Sequence, residues 1–255
     1  MKRWIALPVF ATMLLSVVFV SGCSKQIEPL KLDDYQRIAI APFSTDKESA
    51  EMERRFPQDL STQLSLVKKD KEWIYDQSEA LSPIQNQLAS QGLTPQDIFL
   101  DPALAAKVGR AVNADLIIIG HINNPKIEEK MDNSPVFDMS NQAGISGTTR
   151  FILVYQWATL KMQILAVDTK SGNVAWDNGG FTGYTKYIRE FQTQDPAKEY
   201  SRISGDQMRA DIRKHMLAQI GHQITPDKIN ELPVPQILTK PERELIRSGG
   251  KPILY

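Results

Sequence analysis

A single cysteine, Cys23, is all this chain offers toward disulfides, so no covalent staple is available and the fold must be held by burial. Neither charge is in excess: 30 Lys and Arg stand against 30 Asp and Glu, which removes the basic surplus that nucleic acid binding calls for. Histidine is scarce as well. His215 and His222 lie two turns apart on what reads as one helix, too far for one ion, and His121 has no acidic or cysteine neighbour in sequence. Catalytic motifs are missing too. The run Arg247-Ser248-Gly249-Gly250-Lys251 lacks the spacing and the preceding strand of a phosphate loop, and no serine sits in a nucleophile elbow. The expectation is a protein that is not an enzyme and has no cofactor, no metal and no nucleic acid partner.

What the chain does have, at its start, is an export signal. Lys2 and Arg3 precede an almost wholly apolar run from Trp4 to Val20, and Ser21 and Gly22 place small residues before Cys23. A transmembrane anchor is the alternative, but the run of roughly 17 residues is at the lower edge of what spans a bilayer. The segment resembles the bacterial lipobox, which implies cleavage before Cys23 and acylation of that cysteine. Several acyl chains on one residue hold stably where one holds only marginally. Ser24 follows instead of aspartate, and by the same resemblance the anchor belongs in the outer membrane, with the domain on its periplasmic face.

The mature chain of about 230 residues suits one large domain. Four segments are expected: a signal peptide over 1–22, a lipidated tether over 23–34, an α/β domain over 35–232 and an irregular tail over 233–255. Arg37 to Phe43 reads as a buried strand stopped by Pro42. Met52, Phe56, Leu60, Leu64 and Val67 recur at helical spacing, with Pro57 in the first turn. A weak strand at Trp73–Tyr75, a short helix ended by Gly92, and a helix opened by Asp101 and Pro102 follow. Ala114 to Gly120 is apolar without alternation, as in a strand covered on both faces. Lys126 to Gly147 is unpatterned and reads as a long loop. Thr149 to Asp168 and Asn173 to about Tyr187 read as a hairpin turned at Gly172, and Met208, Ile212, Met216 and Ile220 mark a last helix. These elements add up to a single mixed sheet with helices packed on it.

One stretch departs from ordinary alternation. At Leu160, Met162, Ile164 and Ala166 apolar residues hold the even positions, whereas at Ile145, Phe151, Leu153, Tyr155 and Trp157 they hold the odd ones. A change of face within one strand implies a bulge, or a strand that passes from one environment to another. Either the aromatic end lies under a loop or helix, or Phe151, Leu153, Tyr155 and Trp157 form an exposed ladder that meets another protein or lipid.

The layout resembles the curli secretion lipoprotein family, CsgG-type, and its relatives, the lipoprotein activators of penicillin-binding proteins and the N-terminal domain of TolB proteins. The resemblance rests on Ile38 to Phe43, on Ala105 to Gly120 and on Leu160 to Trp176 with its Asp168-Thr169-Lys170-Ser171-Gly172 turn, and it covers roughly residues 40–220. It implies a CsgG/TolB-N-terminal-like, non-enzymatic domain that acts by protein binding in an envelope assembly or secretion system. The partners so implied are the membrane, through the lipid, other envelope proteins, and further copies of the chain. The family's channels extend two hairpins per subunit into the membrane, and this chain has inserts at both places, Pro125 to Phe151 and Gly179 to Tyr200. An oligomeric outer-membrane channel is therefore the alternative, although Lys186, Arg189 and Glu190 break the outward face that a barrel wall needs.

Overall fold

The computed structural model describes residues 28–46, 54–78, 81–133, 150–193, 202–228, 244–245 and 253–254. At 132–133, 150–153, 189–193 and in the last two pairs, the backbone alone is described. The run read as the first strand is β1 (Arg37–Ile40), parallel to a neighbour on each side. It stops before Pro42, but the chain rejoins the sheet at β2 (Ser44–Thr45). Helix α1 (Phe56–Val67), with Pro57 in its first turn, leads to β3 (Glu72–Tyr75), one neighbour of β1. Three helices follow, α2 (Pro83–Ser90), α3 (Pro95–Leu100) and α4 (Pro102–Ala111), and then β4 (Leu116–Ile122), the other neighbour of β1, which also pairs with β2. Asp101 opens α4 by accepting a hydrogen bond from the Ala103 N–H. Helix α3 is absent from the sequence reading. Its six residues are too few to show a period, and its only signal is the capping box of Thr94 with Asp97.

The segment expected to open a long loop is instead β5 (Lys126–Asn133), antiparallel to the 19-residue β6 (Arg150–Asp168). Four of its first five residues are charged, which hides a strand held mainly by its ladder to a distant partner; residues 134–147 of the expected loop lie outside the described residues. β4 and β5 follow one another along one edge of β6, while β7 (Val174–Asp177) and β8 (Phe181–Thr193) follow one another along the other. The turn between β6 and β7 has Gly172 at φ +77°, as the sequence implied. The second hairpin arm is two strands, not one. Asn178, 1% exposed, interrupts it and accepts hydrogen bonds from the Ile164 and Gly180 N–H groups. Helix α5 (Gly205–Ile224) closes the domain, capped by Ser204, and a two-residue pair, β9 (Glu244–Leu245) with β10 (Ile253–Leu254), lies in the segment expected to be irregular.

This is a mixed α/β sheet with helices on both faces. Near the Asp168 end of β6 both faces are covered. Ile164 and Ala166 pack in a cluster with α1 and α5, and Leu165 and Val167 in a second cluster with α2, α3 and α4. The expected stripe of α5, Met208, Ile212, Met216 and Ile220, is fully buried, and Leu217, Ala218, Gly221 and Ile224 are buried beside it.

The folded region begins ahead of Tyr35. Leu30 and Leu32, placed in the tether by the sequence reading, are buried in the α1–α5 cluster, and Glu28 accepts a hydrogen bond from Trp176 Nε1 through its carbonyl. Lys68 Nζ ties this strap down, 3.5 Å from Asp33 and 2.8 Å from Asp227 beyond α5. Cys23 and the signal segment lie outside the described residues, and no helix among the described residues is long and apolar enough to cross a membrane.

Candidate functional site: an aromatic groove on the β-arm

Beyond its base, β6 continues between β5 and β8 as a three-stranded arm. The register runs unbroken from Arg150↔Thr193 to Met162↔Phe181 against β8, and from Asn133↔Ile152 to Lys126↔Thr159 against β5. There is therefore no bulge at the change of face; the single register shift of β6 lies at Ala166/Val167 against β7. What changes is the cover. Even-numbered Val154, Gln156, Ala158, Leu160 and Met162 stay buried on the α5 side along the arm. The odd-numbered face loses the cover of α2, α3 and α4.

Gln156 explains why the sequence obscured this. It is a polar residue in a buried row, 5% exposed, and its amide makes two hydrogen bonds to the backbone of Ile203, accepting from N–H at 2.9 Å and donating to C=O at 3.2 Å. The buried face thus binds the lead-in to α5 with its amide satisfied.

On the uncovered face, Lys130, Tyr155, Trp157, Thr159, Thr182, Tyr184 and Lys186 line a groove of about 470 Å³. Cross-strand rows set them side by side: Lys130 opposite Tyr155, Trp157 between Glu128 and Lys186, Thr159 opposite Tyr184. Trp157 Nε1 donates to Glu128 at 2.5 Å, and Lys186 Nζ stands 5.3 Å from the centre of the Tyr155 ring. Tyr184 is 60% exposed. The structure therefore brings two of the four ladder residues, Tyr155 and Trp157, into one groove. Phe151 and Leu153 share their strand parity, but only their backbones are described, paired with Gln192 and with Asp132 and Glu190. Lys130, Thr159, Thr182, Tyr184 and Lys186 were missed as site residues. Tyr184 and Lys186 were visible as an aromatic and a charge in the second insert, but only the pairing of β8 with β6 turns them toward Trp157.

His121 does have an acidic partner. Its Nε2 lies 3.1 Å from Asp46 and its Nδ1 2.8 Å from Ser44 Oγ, although the chain separates them by more than seventy residues. Asn123 donates to the same carboxylate, and this bond is the main cause of an Asp46 pKa below the usual range. The arrangement has the composition of a nucleophile–base–acid set, but Ser44 is 4% exposed and its hydroxyl also donates to the Gly120 carbonyl. These contacts clasp β2 to the end of β4. Among the described residues, no three His, Cys, Asp or Glu side chains converge as metal ligands.

His215, on α5, is buried and its Nδ1 has no hydrogen-bond partner. Burial pushes its pKa down. A histidine with a depressed folded pKa stabilises fully above its unfolded value of about 6.5 and loses that contribution as pH falls below it. The melting temperature is expected to drop between about pH 7.5 and 5.5, and to drop less in His215→Leu. Equal slopes in thermal scans of the two proteins would refute a burial penalty at His215. Asp46 and Asp168, whose pKa values are lowered, act only at lower pH, and Asp76, raised by burial, acts with the opposite sign.

No protein-family model matches the sequence, and no curated protein matches it. Among solved structures, the chain is similar to lipoprotein GNA1162 from Neisseria meningitidis at 11% identity, over 77% of this chain and 96% of that one, with a TM-score of 0.34. It is also similar to the LpoB C-terminal domain from Salmonella enterica, at 13% identity over 59% and 82%, with a TM-score of 0.30. A third likeness is to the PelC dodecamer from Paraburkholderia phytofirmans, at 12% identity over 59% and 71%, with a TM-score of 0.29. Likenesses of this size carry no functional conclusion.

Proposed function

We propose that this protein is a periplasmic lipoprotein, anchored in the outer membrane through Cys23, that works without catalysis by binding another envelope protein at the groove of its β-arm. The observation that carries the reading is the asymmetry of the arm. One face is packed on α5 with even its buried glutamine satisfied, while the other leaves Tyr155, Trp157 and Tyr184 around an open groove. Aromatic side chains of this kind supply much of the energy at protein interfaces. The export signal and the single cysteine support the anchor, and one of the similar structures is that of a lipoprotein, which agrees with the reading without carrying it. The buried Ser44 supports the non-enzymatic part.

The test is photo-crosslinking in cells with the full chain, placing a benzophenone side chain at Tyr184. A discrete adduct with one envelope protein is expected, lost when Trp157→Ala is added. Cys23→Ala should release the protein from the outer-membrane fraction. No adduct, or adducts unchanged by Trp157→Ala, would refute the groove as the binding site. A ladder of self-adducts together with a ring-sized particle in detergent would favour the oligomeric channel instead.

A further inference from the structure

The groove has a sign of charge that the chain as a whole lacks. We infer that it takes an acidic, extended segment of the partner protein, one that presents carboxylates beside apolar or aromatic side chains. This rests on the reading that the groove binds a protein and adds the chemistry of what it binds.

Of the three acidic residues of β5, two are engaged, and of the third, Asp132, which shares the groove's strand parity as Glu190 of β8 does, only the backbone is described. Glu128 accepts from Trp157 Nε1, and Glu129, on the opposite parity, pairs with Arg202 at 3.1 Å. The lysines lack a carboxylate partner among the described residues, although Lys186 stands over the Tyr155 ring. Lys130 and Lys186 line the groove, Lys126 and Lys161 share its face by strand parity, and none of the four has an ion pair among the described residues. The groove lining therefore combines two lysines, and no carboxylate, with three aromatic rings in a chain of zero formal net charge. Ammonium groups that lack a carboxylate partner beside a desolvating aromatic floor favour carboxylates, because each charge gains a counter-ion and the rings shield the pair from water.

An anionic bilayer offers the same charge, but the strap that leads back toward Cys23 is held on the face away from the groove. Five residues separate Cys23 from Glu28, a reach of at most about 18 Å. Leu30 and Leu32 bury on the α1–α5 side of the sheet, whereas the groove opens on the other side. Trp176, which holds Glu28, pairs with Ala166, nine residues along β6 from Trp157, or about 30 Å. The described chain therefore starts on the face away from the groove, and a concave groove suits inserted side chains better than a flat surface.

The full chain in non-ionic detergent is titrated with two labelled peptides of alternating Glu and Phe, or Gln and Phe, and with phosphatidylglycerol vesicles, binding being read by anisotropy and by co-sedimentation. The Glu peptide is expected to bind at least tenfold more tightly than the Gln peptide. That advantage should shrink as salt rises from about 0.05 to 0.5 M and vanish in the exposed double variant Lys130→Gln/Lys186→Gln. Equal binding of the two peptides, binding of neither, a preference that survives in the double variant, or binding to vesicles alone would overturn the inference. Failure here is distinct from failure of the functional reading. If the Tyr184 crosslink in cells persists in the double variant, a partner exists and is not recognised by charge; if there is no crosslink at all, the binding role itself falls.

Discussion

Replacing Gly120 by alanine is expected to cost about 1–3 kcal/mol of stability, and by valine at least the upper end of that range. A Cβ at Gly120 would stand 2.7 Å from two carbons of the Phe43 ring and 3.0 Å from a third. The ring has nowhere to retreat. Phe43 is fully buried, its ring centroid lies 5.8 Å from that of the equally buried Phe56, and the following residue is held by the clasp of Ser44 with His121. Urea midpoints at an unchanged slope measure the loss. Phe43→Leu in the Gly120→Ala background should recover part of it, so that the double-mutant cycle shows a favourable coupling. An unchanged midpoint for Gly120→Ala would mean that the ring yields freely and the contact is not close-packed. Gly183 makes a useful contrast, since a Cβ there meets chiefly the sulfur of Met216, the movable part of a flexible side chain.

The second large effect belongs to α5. Ile212→Ala removes a fully buried side chain and should cost about 2–5 kcal/mol, against about 0.5–1.5 for Ile212→Val. Because α5 packs on β6 and β8 and also on α1, the same substitution should loosen the arm first. Hydrogen exchange is expected to show β8 and the arm half of β6 losing protection before β1 and β4, which have helices on both sides. Uniform loss across the sheet would mean that arm and base unfold as one unit. The consequence for the groove is direct. Its residues stand on strands that pack on α5 through their other face, so the rigidity of the binding surface depends on that contact.

Much of this architecture was legible because its signals are local. Asp101 with Pro102 announces α4, Gly172 announces the turn, and the four-residue spacing from Met208 to Ile220 announces α5, since each depends on dihedral preference or on periodicity within a few residues. Tyr155 and Trp157 stood out for the same reason, as aromatics in a phase opposite to that of the following stretch. The cause of that phase change was not legible. A bulge and a change of cover leave the same imprint on a sequence, and only the unbroken register against β5 and β8 separates them.

By itself, then, the sequence determined the helices other than α3, the central buried strands, the mixed α/β class and the absence of disulfides, because hydrophobic periodicity and composition act over short stretches of chain. The tertiary structure alone decided four things. It made a strand of the charged segment Lys126–Asn133 by pairing it with β6, it set Lys130 and Lys186 beside Trp157 from strands some fifty-six residues apart, and it gave His121 its partner in Asp46. It also drew Leu30 and Leu32 into the core. Each of these is a pairing between distant segments, and no local propensity encodes which far part of the chain will supply the other half.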